Sequence, residues 1–384
     1  MTHSFFATLV GSIAIVLGSA PSFAQNAYIA NDGDNTVSVI ATPTNTIVGL
    51  PIPVGSGPVG VAVTPNGSNV YVTNFNDNTV SVIATATNTV TATIPLPSCP
   101  AATSDFGAVG VAVARDGSKV YVANVCSNAV SVIDSATNTV IATIPAIDLA
   151  FGIAVTPDGS KVYVTGEDGG VTVIDTATNT VTATIPTVNR AKGVAVAPDG
   201  SKVYVGDRGV LVIDTATDTV VGDVTIPVAD HFGIAVTPDG SEVYVTNLEN
   251  NTVSVIDTAT NTVIGSPIPV GSGPYGVAVT PDGKKVHVVN SGDNTVSVID
   301  TATSMVVAVL PVGKSPTAFG VFIQPRFAGT PGHRNCHRKS ISALAHTFDD
   351  LNAAAIALGF PTVHALRTAV KAYCEQSGED AEPA

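Results

Sequence analysis

The chain has 384 residues, with 30 acidic against 16 basic side chains, a net charge of -14 and only 12% charged residues in all. This balance excludes the broad basic surface that displaces counterions from nucleic acid, and beyond the first 24 residues no stretch is apolar for long enough to span a bilayer. Val, Thr, Ala and Gly dominate and Trp is absent, a composition of strands and turns.

Residues 1–24 read as a secretory signal: an apolar run from Phe5 to Leu17, then small residues and Ser22-Phe23-Ala24 before Gln25. No Lys or Arg precedes the run, a departure from the usual pattern. The expectation is export to the periplasm or the extracellular space, with no membrane span left after cleavage.

From Gln25 to about Phe327 one unit recurs. Its marker falls at Tyr28, Tyr71, Tyr121, Tyr163, Tyr204 and Tyr244, with His287 in the seventh copy, at gaps of 43, 50, 42, 41, 40 and 43. A period near 40 to 45 with four short apolar runs per unit is the signature of a beta-propeller blade, as in WD40-like rings. The runs predict strands A to D, in one copy Val61–Val63, Val70–Thr73, Val80–Ile83 and Val90–Ile94. Asn66-Gly67, Asp158-Gly159, Asp199-Gly200, Asp239-Gly240 and Asp282-Gly283 supply the positive φ of tight A to B hairpins. Strand A opens at Gly60, Gly110, Gly152, Gly193, Gly233, Gly276 and Gly320, whereas Tyr28 has no strand A before it. The segment from Gly320 to Ile323 therefore supplies the missing strand. The expected fold class is all-β: a seven-bladed beta-propeller over 25–327, closed by N- and C-terminal strands sharing one blade, plus a small α-helical C-terminal segment.

A consecutive meander puts the A to B and C to D turns on one face and the B to C and D to A loops on the other. The first face repeats PDGSK and DTATNT; the second carries the variation, and function concentrates where a rigid scaffold presents variable loops. Asp175, Asp214, Asp257 and Asp300 on the first face read as turn formers. Ala41 and Ala84 take their place in two blades, against a repeated metal site. Cys99, in the enlarged loop Pro97–Ala108, and Cys126, in the adjoining B to C turn, predict a disulfide worth about 3 to 4 kcal/mol in the chain-entropy model. Two free thiols or metal ligands are the competing reading, without neighbouring His.

The residues before each strand A glycine should ring the channel mouth on the variable face: Val59, Val109, Phe151, Lys192, Phe232, Tyr275 and Phe319. They either line a ligand site or plug the channel. The step from strand B to the first Val of strand C is six residues in most blades, but Gly166 to Val171 is five and Asp207 to Val210 three. Two neighbouring blades thus have low walls. Around that notch stand Asp148, Glu167, Asp168, Arg190, Lys192, Asp207, Arg208, Asp230 and His231, a mixed-charge recess flanked by Phe151 and Phe232. A solvated charged surface is the plainer account.

From Gly329 the pattern turns helical. Thr330-Pro331-Gly332 is a linker; Leu351, Ala355 and Leu358 end at Gly359, and Thr362 caps a last helix with apolar face Val363, Leu366, Val370 and Tyr373. The expected third segment, 328–384, is a helical tail stapled by Cys336 and Cys374 at about 4 kcal/mol. His333, Cys336 and His337 cluster without the second pair that zinc spacing needs; His346 and His364 are scattered. Arg334-Asn335-Cys336-His337 has one Cys too few for a c-type haem, and Gly313-Lys314-Ser315 lacks the earlier glycine of a phosphate loop. No metal or cofactor is expected.

Tyr71-Val72-Thr73-Asn74, Tyr244-Val245-Thr246-Asn247, Val279-Thr280-Pro281-Asp282-Gly283 and Asn251 through Asp257 (NTVSVID) resemble the YVTN beta-propeller repeat family, which includes YncE-like secreted bacterial proteins and archaeal surface-layer proteins. The resemblance covers about four fifths of the chain and implies an extracytoplasmic seven-bladed propeller that binds other molecules. More distantly the chain is similar to lactonase-type propellers, but none of their catalytic motifs is found. The reading favoured is a monomeric, non-catalytic scaffold binding a protein, glycan or small molecule through Asp148, Phe151, Arg190, Lys192, Asp207, Arg208, Asp230, His231, Phe232, Tyr275 and Phe319. One alternative is a lactonase- or esterase-like hydrolase, with Asp230 and His231 as acid and base and Arg190 or Lys192 stabilising an oxyanion. Another is a structural cell-envelope protein that self-associates laterally.

Overall fold

Short Val-rich runs separated by Asp-Gly and Asn-Thr turns can bury both faces only by stacking sheet on sheet, and a ring of stacked sheets is what they form. The computed structural model describes residues 25–98, 107–146, 149–167, 169–187, 190–226, 231–325, 351–357, 360 and 362–374. It contains seven four-stranded antiparallel sheets, six of them in the order A-B-C-D. Blade 2 is typical: Pro58–Val63, Asn69–Asn74, Thr79–Ala84 and Thr89–Pro95. Val70, Tyr71 and Val72 in its strand B are fully buried, whereas Thr89, Thr91 and Thr93 face outwards on the rim strand. The apolar clusters lie in the seams: Tyr71 and Val80 of blade 2 pack with Val111, Val120 and Val122 of blade 3.

The turns follow the sequence closely. Gly67, Gly159, Gly200, Gly240 and Gly283 sit at φ +70 to +77, and the preceding Asp or Asn accepts from the backbone two residues on, as Asp158 does from Ser160 N at 3.0 Å. On the same face Asp134, Asp175, Asp214, Asp257 and Asp300 accept from the threonine N–H three residues later, between 2.7 and 3.0 Å. Bonds from the backbone and side chain of Thr137 hold Asp134 below the usual carboxylate range.

Seams are locked at the tyrosine. Tyr28 donates to Asn88 of blade 2 at 2.9 Å, Tyr71 to Asn138 of blade 3 at 3.2 Å, and Tyr163 of blade 4 to Asp218 of blade 5. Near the axis, Thr165 accepts from Gly152 N at 2.9 Å and donates to Lys192 O at 2.7 Å. A Cβ on Gly152 would run into that same carbonyl, which is why strand A opens on glycine.

Strand A of blade 1 comes from the far end of the chain. Tyr28 N donates to Phe322 O at 2.9 Å, Gln324 N to Asn26 O at 2.9 Å, and Thr317 N to Ala30 O at 2.9 Å. The same segment also faces the neighbouring blade: Val61 N donates to Phe319 O at 2.9 Å and Val63 N to Val321 O at 3.0 Å. It thus stitches blade 1 to blade 2, in isolated bridges rather than the regular strand expected over Gly320 to Ile323.

Among the described residues the tail shows two helices, α1 (Leu351–Ala357) and α2 (Val363–Cys374), packed through Ala354, Ala355, Phe360, Leu366 and Val370. Thr362 caps α2, its Oγ1 accepting from Ala365 N at 3.1 Å. Residues 1–24, Cys99, Cys336, His333, His337, His346, Asp148, Asp168 and Asp230 lie outside the described residues, as do the side chains of His231, Tyr373 and Cys374. Cys126 is 6% exposed, and no described cysteine is free.

Candidate functional site

On the variable face the short turns lie where the spacing placed them. In blade 4 strand B ends at Gly166 and strand C begins at Gly170; in blade 5 the bounds are Gly206 and Val210. Three residues connect them, against four between Asn74 and Thr79 or Asn247 and Thr252. In blade 5 the turn is pinned by Asp207 N donating to Gly209 O at 3.0 Å and Arg208 N to Asp207 Oδ1 at 2.7 Å. Asp207 is therefore buried, at 8% exposure, and Arg208 is pushed outwards.

The collar residues do not stand open to solvent. Phe151, Phe232, Tyr275 and Phe319 close a cycle of ring contacts, with successive centroids at 6.3, 4.3, 6.4 and 5.5 Å, mostly edge to face. Phe151 and Phe232 touch one another and so do not flank an open recess; the aromatics plug the channel, the alternative reading of their pattern. Lys192 is drawn in with them, its Nζ 3.7 Å from the centroid of Phe232 and its side chain 8% exposed. Burial, with the charges of Glu167 and Asp32 nearby, pushes the Tyr275 phenol up, so it stays neutral. Of the predicted basic groups, Arg190 and Arg208 remain exposed at the notch. His231 pairs by its backbone with Asn247 across strands A and B of blade 6.

Below the plug the channel opens into a cavity of about 280 Å³ walled by Val and Ala of the A strands, with Phe319 at its inner end. Its rim is made by the A to B turns, on the face that the sequence presents as monotonous. There Pro65, Pro198, Pro238, Pro281 and Pro325 stand around the ring, and Arg115 takes the same place in blade 3. Sequence reasoning passed over Arg115, although the signal was legible: ARDGSK replaces TPDGSK in that copy alone.

Residues 223–326 match the family model described as YNCE-like beta-propeller, and the rest of the ring repeats the same blade. No curated protein matches the chain. Among solved structures, the hydrazine synthase of Kuenenia stuttgartiensis is similar at 22% identity and a TM-score of 0.63, over 72% of this chain and 92% of that one. A functionally unknown protein from Desulfotomaculum acetoxidans is similar at 19% identity and a TM-score of 0.64, over 77% of this chain and 100% of that one. At such identities the likeness concerns the fold.

Proposed function

We propose that this YNCE-like propeller is an exported, monomeric, non-catalytic binding protein that takes an anionic protein, glycan or small molecule over the notch of blades 4 and 5. The observation that carries the reading is the pair of shortened B to C turns on adjacent blades, with Arg190 and Arg208 exposed beside them. Arg115, Arg190 and Arg208 are the only arginines between residues 25 and 325 of an acidic chain, and two of the three gather here. A guanidinium fork suits carboxylate, sulfate or phosphate groups on a partner. Export is supported by Gln25, the residue after the proposed cleavage site, whose side chain donates to Gln324 O at 2.9 Å in the ring closure. Disulfides Cys99–Cys126 and Cys336–Cys374 belong to the same proposal.

The test is a glycan and protein-capture screen with the mature protein and an Arg190→Ala/Arg208→Ala variant. Capture lost in the variant at an unchanged melting temperature supports the notch; capture retained at wild-type strength overturns it.

A further inference from the structure

The channel cavity opens on the opposite face and shares none of the notch residues. Its walls are strand A residues such as Ala62, Ala154, Ala195 and Ala235, and Val321 there is 69% exposed, a large apolar side chain left wet inside the ring. From Gly233 at the neck to Pro238 at the rim the wall runs five residues, about 16 Å of extended strand. A cavity of about 280 Å³ sits at the small end of ligand pockets and admits one slender molecule, not a peptide or a polysaccharide.

The rim breaks the symmetry. Six A to B turns share one backbone plan, five carry proline at the first turn position and one carries Arg115. Among the described residues, Arg115 is the one charged residue lining the cavity. Desolvation by the channel wall lowers its pKa to about 10, so it keeps its proton at neutral pH while part of its hydration is stripped away. Arg115 also interacts with a neighbour, and the five donors of a guanidinium allow such a contact and a ligand at once.

We propose that the channel binds a slender aliphatic carboxylate, its chain between the A strands and its head group on Arg115. Carboxylate geometry matches the guanidinium fork in two parallel bonds. Apolar walls with one fixed polar group at the mouth are the composition of a small-molecule site. Asp116, Asp158, Asp199, Asp239 and Asp282 place negative charge around the same mouth, but none of them lines the cavity. Asp116, Asp158, Asp199 and Asp239 each accept from the serine two residues on, and Asp282 accepts from Lys284 N. Their repulsion fades over about 8 Å at physiological salt, whereas the desolvated Arg115 contact is screened little.

The test is calorimetric titration of the full chain with decanoate, decanol and decylamine, each below its aggregation concentration, at about 0.15 M salt. Wild type should bind decanoate at least about ten-fold more tightly than decanol, and decylamine least. Arg115→Pro installs the residue that the other five turns already accommodate and so should fold; in it the preference for decanoate over decanol should fall below about two-fold. Ala195→Phe, checked by circular dichroism, fills the channel and should abolish decanoate binding. Equal binding of decanol and decanoate by wild type, preference for decylamine, no binding at all, or an unchanged preference in Arg115→Pro each overturns the proposal. The Arg190→Ala/Arg208→Ala variant should bind decanoate as wild type does, which separates this site from the notch.

Discussion

The seam between blades 4 and 5 and the seam between blades 7 and 1 use equivalent positions with different chemistry. At the first, Lys161 and Tyr163 converge on Asp218, the ammonium at 2.7 Å from one carboxylate oxygen and the phenol on the other. At the second, Lys285 reaches Asn45 Oδ1 at 3.0 Å and Thr42 O at 2.9 Å, while His287 stands in the tyrosine's place with neither ring nitrogen bonded, fully buried. The lysine contact survives and the phenol lock is lost. The closing segment from Pro316 to Gln324 bonds to blades 1 and 2, so the ring is secured beside this weaker seam and not across it.

The harshest way to break this comparison is to end the chain at Ser315. Without Thr317, Phe319, Val321, Phe322 and Gln324 the strand edges of blades 1 and 2 lose their partners, and cooperative thermal unfolding should disappear from circular dichroism melts. A melt as sharp as that of the full chain would show that the closure is dispensable.

Acid should act next, and selectively at the weaker seam. Burial, with Lys285 adding to it, lowers the His287 pKa from 6.5 to about 3. Below 6.5 the unfolded chain takes a proton that the folded one refuses. The stability is fully present above about 6.5 and is lost as pH falls towards 3, at about 1.4 kcal/mol per pH unit from this group. Urea melts at pH 7.5 and 5.0 should show that slope in wild type and a shallower one in His287→Tyr. Equal slopes would remove His287 from the account.

At the stronger seam Tyr163→Phe strips one donor from Asp218 and leaves Lys161 in place. The expected cost is about 1 to 2 kcal/mol in urea melts; an unchanged midpoint would mean the phenol bond adds nothing to the ion pair. Smallest of all should be the Arg190→Ala/Arg208→Ala pair, within about 0.5 kcal/mol in stability, since both side chains are exposed. A larger loss would assign them to the fold and not to a partner.

Much of the ring was legible because blades repeat their errors as faithfully as their rules. Counting Gly60 through Gly320 against Tyr28 through His287 revealed the shared blade, and the Asp-Gly turns announced their backbone. What counting missed is direction. It placed Phe319 at the channel mouth without showing that the rings of four blades meet there, and it assigned the closing segment to blade 1 without its bonds to Val61 and Val63 of blade 2. Both depend on where side chains and carbonyls point near the axis, which a sequence period does not encode. The substitution at His287 was visible; that neither ring nitrogen finds a partner in the seam was not. The notch survives as a geometric feature, but Lys192 left it for the face of Phe232.

The bond from Gln25 to Gln324 joins residues 299 apart in the chain. During synthesis at about 5 to 20 residues per second, the first strand therefore waits on the order of 15 to 60 s for its partner. For that interval six blades can stack, yet the molecule remains an open arc with an unclaimed edge at its oldest end. Completion is thus a single late event, and anything that must pass the chain through a narrow opening has until then to do so.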